Sequence, residues 1–185
     1  MGISTSHQDL LHDEAQALCD ETGFSISQIN KFYYRFSNLD SGSKGYLSKE
    51  DLMKIPELFI NPLCSRIIQL LFGERNELLF GDFVRNLSIF QLAKSKKFNF
   101  SELIEKKYMY IFLIYDRDGD GVISKQDMSS VVRLMVGQNI TEVALNNMVK
   151  TIFLQIGVQE ETGIDFEKFK NLVLEDKIRE IVLNF

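Results

Sequence analysis

Hydrophobic positions recur along this chain with the period of an α-helix rather than with the alternation of a half-buried strand. The spacing of Ile29, Phe32 and Phe36 predicts an amphipathic helix with these side chains on one face. Ser25 followed by Gln28 has the form of a capping box, so this helix is predicted to begin there. The same helical period continues through six later segments: 63–71, 104–115, 128–135, 145–156, 166–173 and 178–185.

Between these helices the chain repeats a polar loop that ends in a single aliphatic residue. Each loop with its flanking helices forms a helix-loop-helix unit, and the short extended piece of one loop can bond antiparallel to that of the next. Four units of this kind predict an all-α fold with two lobes and short β pairs between paired loops. The four loop aliphatics are Leu47, Leu78, Ile123 and Ile164.

The predicted domain boundaries follow from these units. Residues 1–22 form an N-terminal tail and helix, and 23–90 form the first lobe with two units. Residues 91–100 form a linker, because QLAKSKKFN is polar, basic and without hydrophobic period. Residues 101–174 form the second lobe, and 175–185 form a closing amphipathic segment.

The run DRDGDGVISKQD, from Asp116 to Asp127, carries the clearest chemistry in the chain. It fits D-x-D-x-D-G, the start of an EF-hand calcium loop, and helical patterns flank it on both sides. A hard dication takes about six to eight oxygen ligands, which alternate positions of one compact loop can supply. The predicted ligands are the carboxylates of Asp116, Asp118, Asp120 and Asp127, the carbonyl of Val122, and the hydroxyl of Ser124 or a water that it holds.

The closing position of this loop departs from the usual pattern, because Asp127 stands where glutamate is typical. Aspartate is one methylene shorter, so bidentate closure of the metal's coordination shell is harder to reach. We therefore expect a lower coordination number, with Ca2+ as the metal and a better relative tolerance of Mg2+, which prefers a tight shell of six oxygens.

The other three loops are predicted to be structural. In loop 40–51 Lys44 occupies a ligand position, and its ammonium would substitute for the charge of a metal rather than bind one. Loop 71–82 begins with apolar residues and glycine, and loop 157–168 closes with a lysine. The sequence thus predicts a two-lobed, calmodulin-like EF-hand fold with four mostly degenerate units and one metal site.

Composition excludes several functions. The chain has 185 residues and a formal net charge of −5, which gives no electrostatic reason to expect nucleic acid. Both histidines, His7 and His12, precede the first lobe, so zinc and Ser-His hydrolase chemistry is not expected and the chain is predicted not to be an enzyme. Cys19 and Cys64 are too few for a disulfide framework and no secretory signal is evident, which favours a cytoplasmic protein.

The N-terminus, MGISTS, has the M-G-x-x-x-S form of an N-myristoylation signal, with Gly2 as the acylated residue. One acyl chain gives only marginal membrane binding. Membrane association is therefore expected only through the lipid or through a partner.

Paired EF-hands commonly leave an apolar trough between helices, which binds an amphipathic helix of a partner. The closing segment Ile178 to Phe185 is itself amphipathic and could fold over this trough when no partner is present. Residues predicted to line the partner groove are Phe32, Phe36, Leu63, Ile67, Leu71, Ile111, Met128, Met135 and Ile152.

Three stretches resemble the calcineurin B homologous proteins and, more widely, calcineurin B: ETGFSISQINKFYYRFSNLD, DSGSKGYLSKEDL and above all IPELFINPLCSRII. The resemblance is close over residues 21–90 and looser beyond. It implies a myristoylated cytosolic EF-hand subunit that holds an amphipathic helix in the tail of a Na+/H+ exchanger. It also implies metal in the third and fourth hands, but Lys168 breaks the fourth here.

The preferred interpretation is a calcium-binding regulatory subunit that holds a helix of a membrane protein. One alternative is a regulatory B-type subunit of a calcineurin-like phosphatase, which would use the same trough against a catalytic subunit. The other is a free calcium sensor or buffer, a class in which two or more intact loops per lobe are expected. This chain offers one intact loop in total.

Overall fold

The computed structural model describes residues 5–90 and 100–181. Within these residues the chain forms eleven helices and four two-residue strands, which confirms the predicted all-α fold of four helix-loop-helix units. The helices are α1 (Thr5–Thr22), α2 (Ile26–Leu39), α3 (Lys49–Leu52), α4 (Pro56–Phe59), α5 (Cys64–Phe72), α6 (Phe80–Ile89), α7 (Phe100–Tyr115), α8 (Lys125–Val136), α9 (Glu142–Gln155), α10 (Phe166–Leu172) and α11 (Glu175–Glu180). The strands are β1 (Tyr46–Leu47), β2 (Leu78–Leu79), β3 (Val122–Ile123) and β4 (Ile164–Asp165).

The strands pair as the loop pattern predicts. β1 runs antiparallel to β2 with Leu47 opposite Leu78, and β3 runs antiparallel to β4 with Ile123 opposite Ile164. All four aliphatic side chains are buried. Each pair therefore joins two loops through backbone hydrogen bonds and places two apolar side chains in a core.

Capping boxes begin three of the helices. The Ser25 hydroxyl accepts a hydrogen bond from the backbone N–H of Gln28 at 3.3 Å, and the Gln28 side chain accepts one from the N–H of Ser25 at 2.9 Å, as predicted. The same reciprocal arrangement joins Ser48 with Asp51 at α3 and Ser124 with Asp127 at α8. These aspartates are the twelfth residues of the first and third loops, so the last loop residue also caps the helix that follows.

The described residues divide into two compact units. The first comprises 5–58, 71–90 and 100–103, and the second comprises 59–70 and 104–181. Segment 59–70 thus belongs with the second unit, although it lies before the predicted linker in sequence. Most of that linker, 91–99, lies outside the described residues, so the predicted lobe boundaries stay a prediction.

Aromatic side chains fill much of the core of the first unit. Phe36 meets Phe80 edge to face with ring centroids 5.5 Å apart, and it lies 5.8 Å from Phe83. Phe24 and Phe32 form a second edge-to-face pair at 4.9 Å. These contacts join α2 to α6 and anchor the start of α2, which orients the helices on either side of the first two loops.

The second unit is packed around α7 and α10. Phe112 contacts both Phe166 and Phe169 edge to face, with ring centroids 5.5 and 5.6 Å apart. The hydroxyl of Tyr108 donates to the carbonyl of Val173 at 3.0 Å. Ile178 of α11 is 1% exposed and belongs to the same core cluster, so the short C-terminal helix is part of this packing. No helix in the described parts of the chain is both long and apolar enough to span a lipid bilayer.

Candidate metal centre

The loop between α7 and α8 brings three carboxylates together. Asp116, Asp118 and Asp120 each offer one ligand oxygen, and these three atoms lie within 4.8 Å of one another. Asp116 is 1% exposed, whereas the other two side chains face solvent. Three negative charges this close repel one another, and an oxygen-only donor set suits a hard dication such as Ca2+ or Mg2+. The residues present therefore fit such an ion.

Backbone amides of the loop hold these side chains in place. One carboxylate oxygen of Asp116 accepts from the N–H of Gly119 at 2.9 Å, and the other accepts from the N–H of Gly121 at 3.1 Å. Gly121 has φ of +89°, a conformation that favours glycine at this sharp turn. Asp120 accepts from the N–H of Val122 at 2.8 Å. Hydrogen bonds from backbone N–H groups of the loop thus fix the positions of the Asp116 and Asp120 carboxylates.

Asp127 is placed differently from the other three acids of the loop. Its Oδ2 accepts from the backbone N–H and the hydroxyl of Ser124 at 3.0 and 2.6 Å, and its Oδ1 accepts from the N–H of Arg117 at 3.1 Å. The structure therefore gathers three of the six predicted ligands, while Asp127 and Ser124 bond to each other. Ligation of a metal by any of the six residues stays a prediction.

In the first loop a lysine occupies the place of a cation. Lys44 Nζ lies 2.5 Å from Asp51 Oδ2 and 3.9 Å from Asp40 Oδ1, and Lys54 Nζ lies 3.0 Å from Asp51 Oδ1. Burial opposes ionisation of Asp51, but hydrogen bonds from Lys44, Ser48 and Lys54 outweigh it and hold the pKa of this carboxyl well below its usual range. The first loop is thus closed by its own ammonium group, as its sequence predicts.

Protein cations also lie against the acids of the second and fourth loops. Asp82 closes the second loop and pairs with both Arg75 and Arg85. In the fourth loop Lys168 Nζ lies 3.4 Å from Asp165 Oδ2. Among the residues that the structure describes, the third loop alone gathers three or more side chains of metal-binding type.

The predicted partner groove is partly internal in this structure. Phe36, Ile67, Leu71 and Met128 are buried, Phe32, Leu63, Ile111 and Ile152 are half-buried, and Met135 is exposed. Two apolar side chains that the pattern did not identify are exposed to solvent. They are Phe59 (67% exposed) and Ile60 (78% exposed), both within the IPELFINPLCSRII stretch. The groove assignment stays a prediction, and Gly2 lies outside the described residues.

Sequence reasoning also missed a buried lysine beside the C-terminal helix. Lys107 is 2% exposed, and its Nζ donates to the carbonyls of Ile181 at 3.1 Å and Arg179 at 3.4 Å. Burial lowers the pKa of this ammonium group. The sequence does contain one sign of this burial, because Lys107 lies between Ile104 and Ile111 on the apolar face of α7.

The closing segment that could fold over the trough begins at Ile178, which is buried in this structure. Its last four residues lie outside the described part of the chain.

Comparison with known proteins finds relatives that share one name. No family model matches it. It is 34% identical to the calcineurin B subunit of Naegleria gruberi over 171 residues, which cover 91% of this chain and 90% of that protein. It is 30% identical to the type 1 calcineurin B subunit of Dictyostelium discoideum over 172 residues, which cover 92% of this chain and 91% of that protein.

The fold is also present among solved structures. A chain of a PP2A PR70 holoenzyme superposes with a TM-score of 0.55 at 19% identity, over 85% of this chain and 57% of that chain. At this level of identity the likeness concerns the fold alone.

Proposed function

This chain belongs to the calcineurin B family of EF-hand proteins, and we propose that it is a non-catalytic, calcium-binding regulatory subunit. The resemblance noted in the sequence is thereby confirmed at the level of the family. The observation that carries the proposal is the cluster of Asp116, Asp118 and Asp120 in the third loop. A bound Ca2+ would offset two of these three negative charges and stiffen the loop between α7 and α8.

Asp127 connects metal binding to the start of α8. Its Oδ1 accepts one bond, from the N–H of Arg117, and keeps a lone pair for a metal, whereas Oδ2 already accepts two bonds from Ser124. Bidentate ligation through both oxygens would therefore cost a bond to Ser124. This competition and the shorter side chain both disfavour a large coordination shell. We therefore propose one Ca2+ site with appreciable Mg2+ binding.

Calorimetric titration with Ca2+ and Mg2+ tests the site. The double variant Asp118→Asn/Asp120→Asn removes two exposed carboxylates and keeps Asp116, which holds the glycine amides. We expect one site in the wild type and at least a hundredfold weaker Ca2+ binding in this variant, roughly the effect of losing two charged ligands. Asp127→Glu is expected to favour Ca2+ over Mg2+.

A control variant separates the ligands from net charge. Asp13→Asn/Asp20→Asn changes the charge equally on α1, where both side chains are exposed, and is expected to bind Ca2+ as the wild type does. Two or more equal sites, or full Ca2+ affinity in Asp118→Asn/Asp120→Asn, would contradict the proposal.

The proposed partner is an amphipathic helix of a phosphatase catalytic subunit. The relatives compared above are all named as subunits of calcineurin, and a regulatory subunit requires a partner. The exposed Phe59 and Ile60 offer apolar contact area for such a helix. A second candidate is the tail of a Na+/H+ exchanger, favoured by the IPELFINPLCSRII stretch that resembles the calcineurin B homologous proteins.

Affinity capture distinguishes these partners. The tagged chain is incubated with cytosol and with detergent-solubilised membranes, with and without chelator, and captured proteins are identified by mass spectrometry. A phosphatase catalytic subunit is the expected product. A transporter without a phosphatase would support the exchanger alternative, and capture of neither would favour a free sensor. The intact mass of the chain from eukaryotic cells tests acylation at Gly2.

A further inference from the structure

The stretch IPELFINPLCSRII contains one cation, Arg66, that the proposed function does not use. Arg66 lies on α5, in the part of the chain that groups with the second unit. Its side chain is directed at the end of α7 and the first residue of the third loop. The residues that it reaches, Leu113 and Asp116, lie 47 and 50 residues later in the sequence.

Arg66 makes a dense set of hydrogen bonds there. Its Nε and Nη2 donate to the carbonyl of Leu113 at 2.9 and 2.7 Å, and Nη2 also donates to the carbonyl of Asp116 at 2.5 Å. Nη1 donates to the side chain of Gln69 at 3.0 Å. The last carbonyls of a helix lack partners within the helix and attract cations, so the guanidinium satisfies the C-terminus of α7.

A second contact joins the same two helices. The hydroxyl of Tyr110, on α7, donates to the carbonyl of Ile67 at 3.4 Å, and both residues are buried. The guanidinium is therefore attached to a segment that is itself packed against α7. Such support limits how far Arg66 can move relative to the loop.

These contacts hold Asp116 from two sides. Arg66 binds its carbonyl, while Gly119 and Gly121 bind its two carboxylate oxygens. The peptide and the side chain of this first loop acid are thus both restrained before any ion arrives. We propose that Arg66 is a positioning residue of the metal centre, which acts through Asp116 and strengthens binding of a divalent cation.

The inference rests on the proposed function, because it requires an ion in the third loop. It also competes with a simpler role for the same side chain. The guanidinium is a positive charge near Asp116 and Asp127, and charge alone would weaken the binding of a cation. A positioning role and a charge role therefore predict opposite effects when Arg66 is removed.

Two variants separate these roles. Arg66→Lys keeps the charge but lacks the planar fork that reaches both carbonyls, and Arg66→Met removes charge and donors together. The matched control is Arg85→Lys in the first unit, where the guanidinium donates to Glu21 and Asp82 at 2.7 and 3.2 Å. Calorimetric titration with Ca2+ and with Mg2+ measures the affinity of each variant.

We expect Arg66→Lys to bind Ca2+ about tenfold more weakly than the wild type, in the range found for residues that orient metal ligands. Arg66→Met should also bind more weakly, and Arg85→Lys should bind as the wild type does. In metal-free protein the NMR signal of the Gly121 amide should shift in both Arg66 variants, because this N–H bonds to Asp116. A merely structural contact would lower the melting temperature without changing the affinity of the folded protein.

Unchanged affinity in folded Arg66→Lys, or tighter binding in Arg66→Met, would overturn the positioning role. Both outcomes would leave the proposed metal site intact, because the wild type would still bind Ca2+. Failure of the wild type to bind Ca2+ would instead overturn the proposed function together with this inference.

Discussion

The fifth loop position carries opposite charges in the first and third loops. Lys44 holds this position in the first loop and Asp120 in the third, although both loops end in the same Ser-x-x-Asp capping box. The ammonium of Lys44 bonds to Asp51 at 2.5 Å, whereas Asp120 adds a third carboxylate to a cluster. One loop thus carries its own cation and the other has the charge to attract one.

The buried Asp51 is expected to make stability depend on acid pH. The pKa of Asp51 is lower in the folded protein than in the unfolded chain, where it is about 3.9. Ionised Asp51 therefore contributes fully to the free energy of unfolding above this pH, and the contribution is lost progressively as the pH falls below it toward the folded pKa. Asp51→Asn should lower the free energy of unfolding at neutral pH by about 2 kcal/mol, because Lys44 and Lys54 lose their shared partner.

Urea unfolding at neutral pH and at about pH 2.5 measures this effect. The difference in free energy of unfolding between the wild type and Asp51→Asn should be smaller at the acid pH. The exposed Asp13→Asn serves as the control and should follow the wild type throughout. A gap that stays constant with pH would show that the ionised carboxylate of Asp51 is not what stabilises the first loop.

At the scale of elements, the pairing of β3 with β4 depends on the absence of a side chain. Gly163 precedes β4 with φ of +61°, and a Cβ there would overlap Cγ1 of Val122 and lie 3.0 Å from the carbonyl oxygen of Ile123. The fourth loop therefore approaches the third so closely that only glycine fits. Because Val122 is a predicted ligand, this approach also bears on the metal site.

Gly163→Ala is expected to lower the free energy of unfolding by about 3 kcal/mol, from backbone strain together with displacement of β3. Gly157→Ala is the matched control, since its φ is +69° and a Cβ there meets nothing within 4 Å. It should cost about 1 kcal/mol, from the left-handed conformation alone. Equal losses in the two variants, measured by urea unfolding, would contradict a steric limit at β3.

At the scale of the whole molecule, the two units differ in whether the loop carboxylates are paired with cationic side chains. The acids that close the first and second loops pair with lysine or arginine. The third loop has three clustered carboxylates, with Arg66 bonded to backbone carbonyls beside them. Metal should therefore act on one unit rather than on both.

Hydrogen exchange with and without Ca2+ tests this expectation. Amides in 104–181 and in segment 59–70 should become more protected when Ca2+ is added, since binding favours the closed form of the unit that holds the ion. Amides in loops 40–51 and 71–82 should not respond, and chelator should reverse the change. Ca2+-dependent protection in loop 40–51 would refute the assignment of a structural role to Lys44.

Much of the fold was readable from local sequence. Helical period located the amphipathic helices, and the loop aliphatics Leu47, Leu78, Ile123 and Ile164 pair as predicted. Such features depend on neighbours within a few residues, so one sequence suffices to reveal them. The contacts of Arg66 and Lys107 were not predicted, because their hydrogen-bond partners lie 47 to 74 residues away in sequence. A hydrophobic period over neighbouring residues contains no information about contacts at that separation.

The sequence by itself determined four helix-loop-helix units, the paired loops and one loop with the charge for a dication, because turn chemistry, period and ligand spacing are local properties. Only the tertiary structure decided that segment 59–70 packs with the second unit. It likewise decided that Asp127 bonds to Ser124 while Asp116 is held through Arg66. The physical reason is that backbone carbonyls at a helix end accept any well-placed donor, and the fold alone determines which donor reaches them.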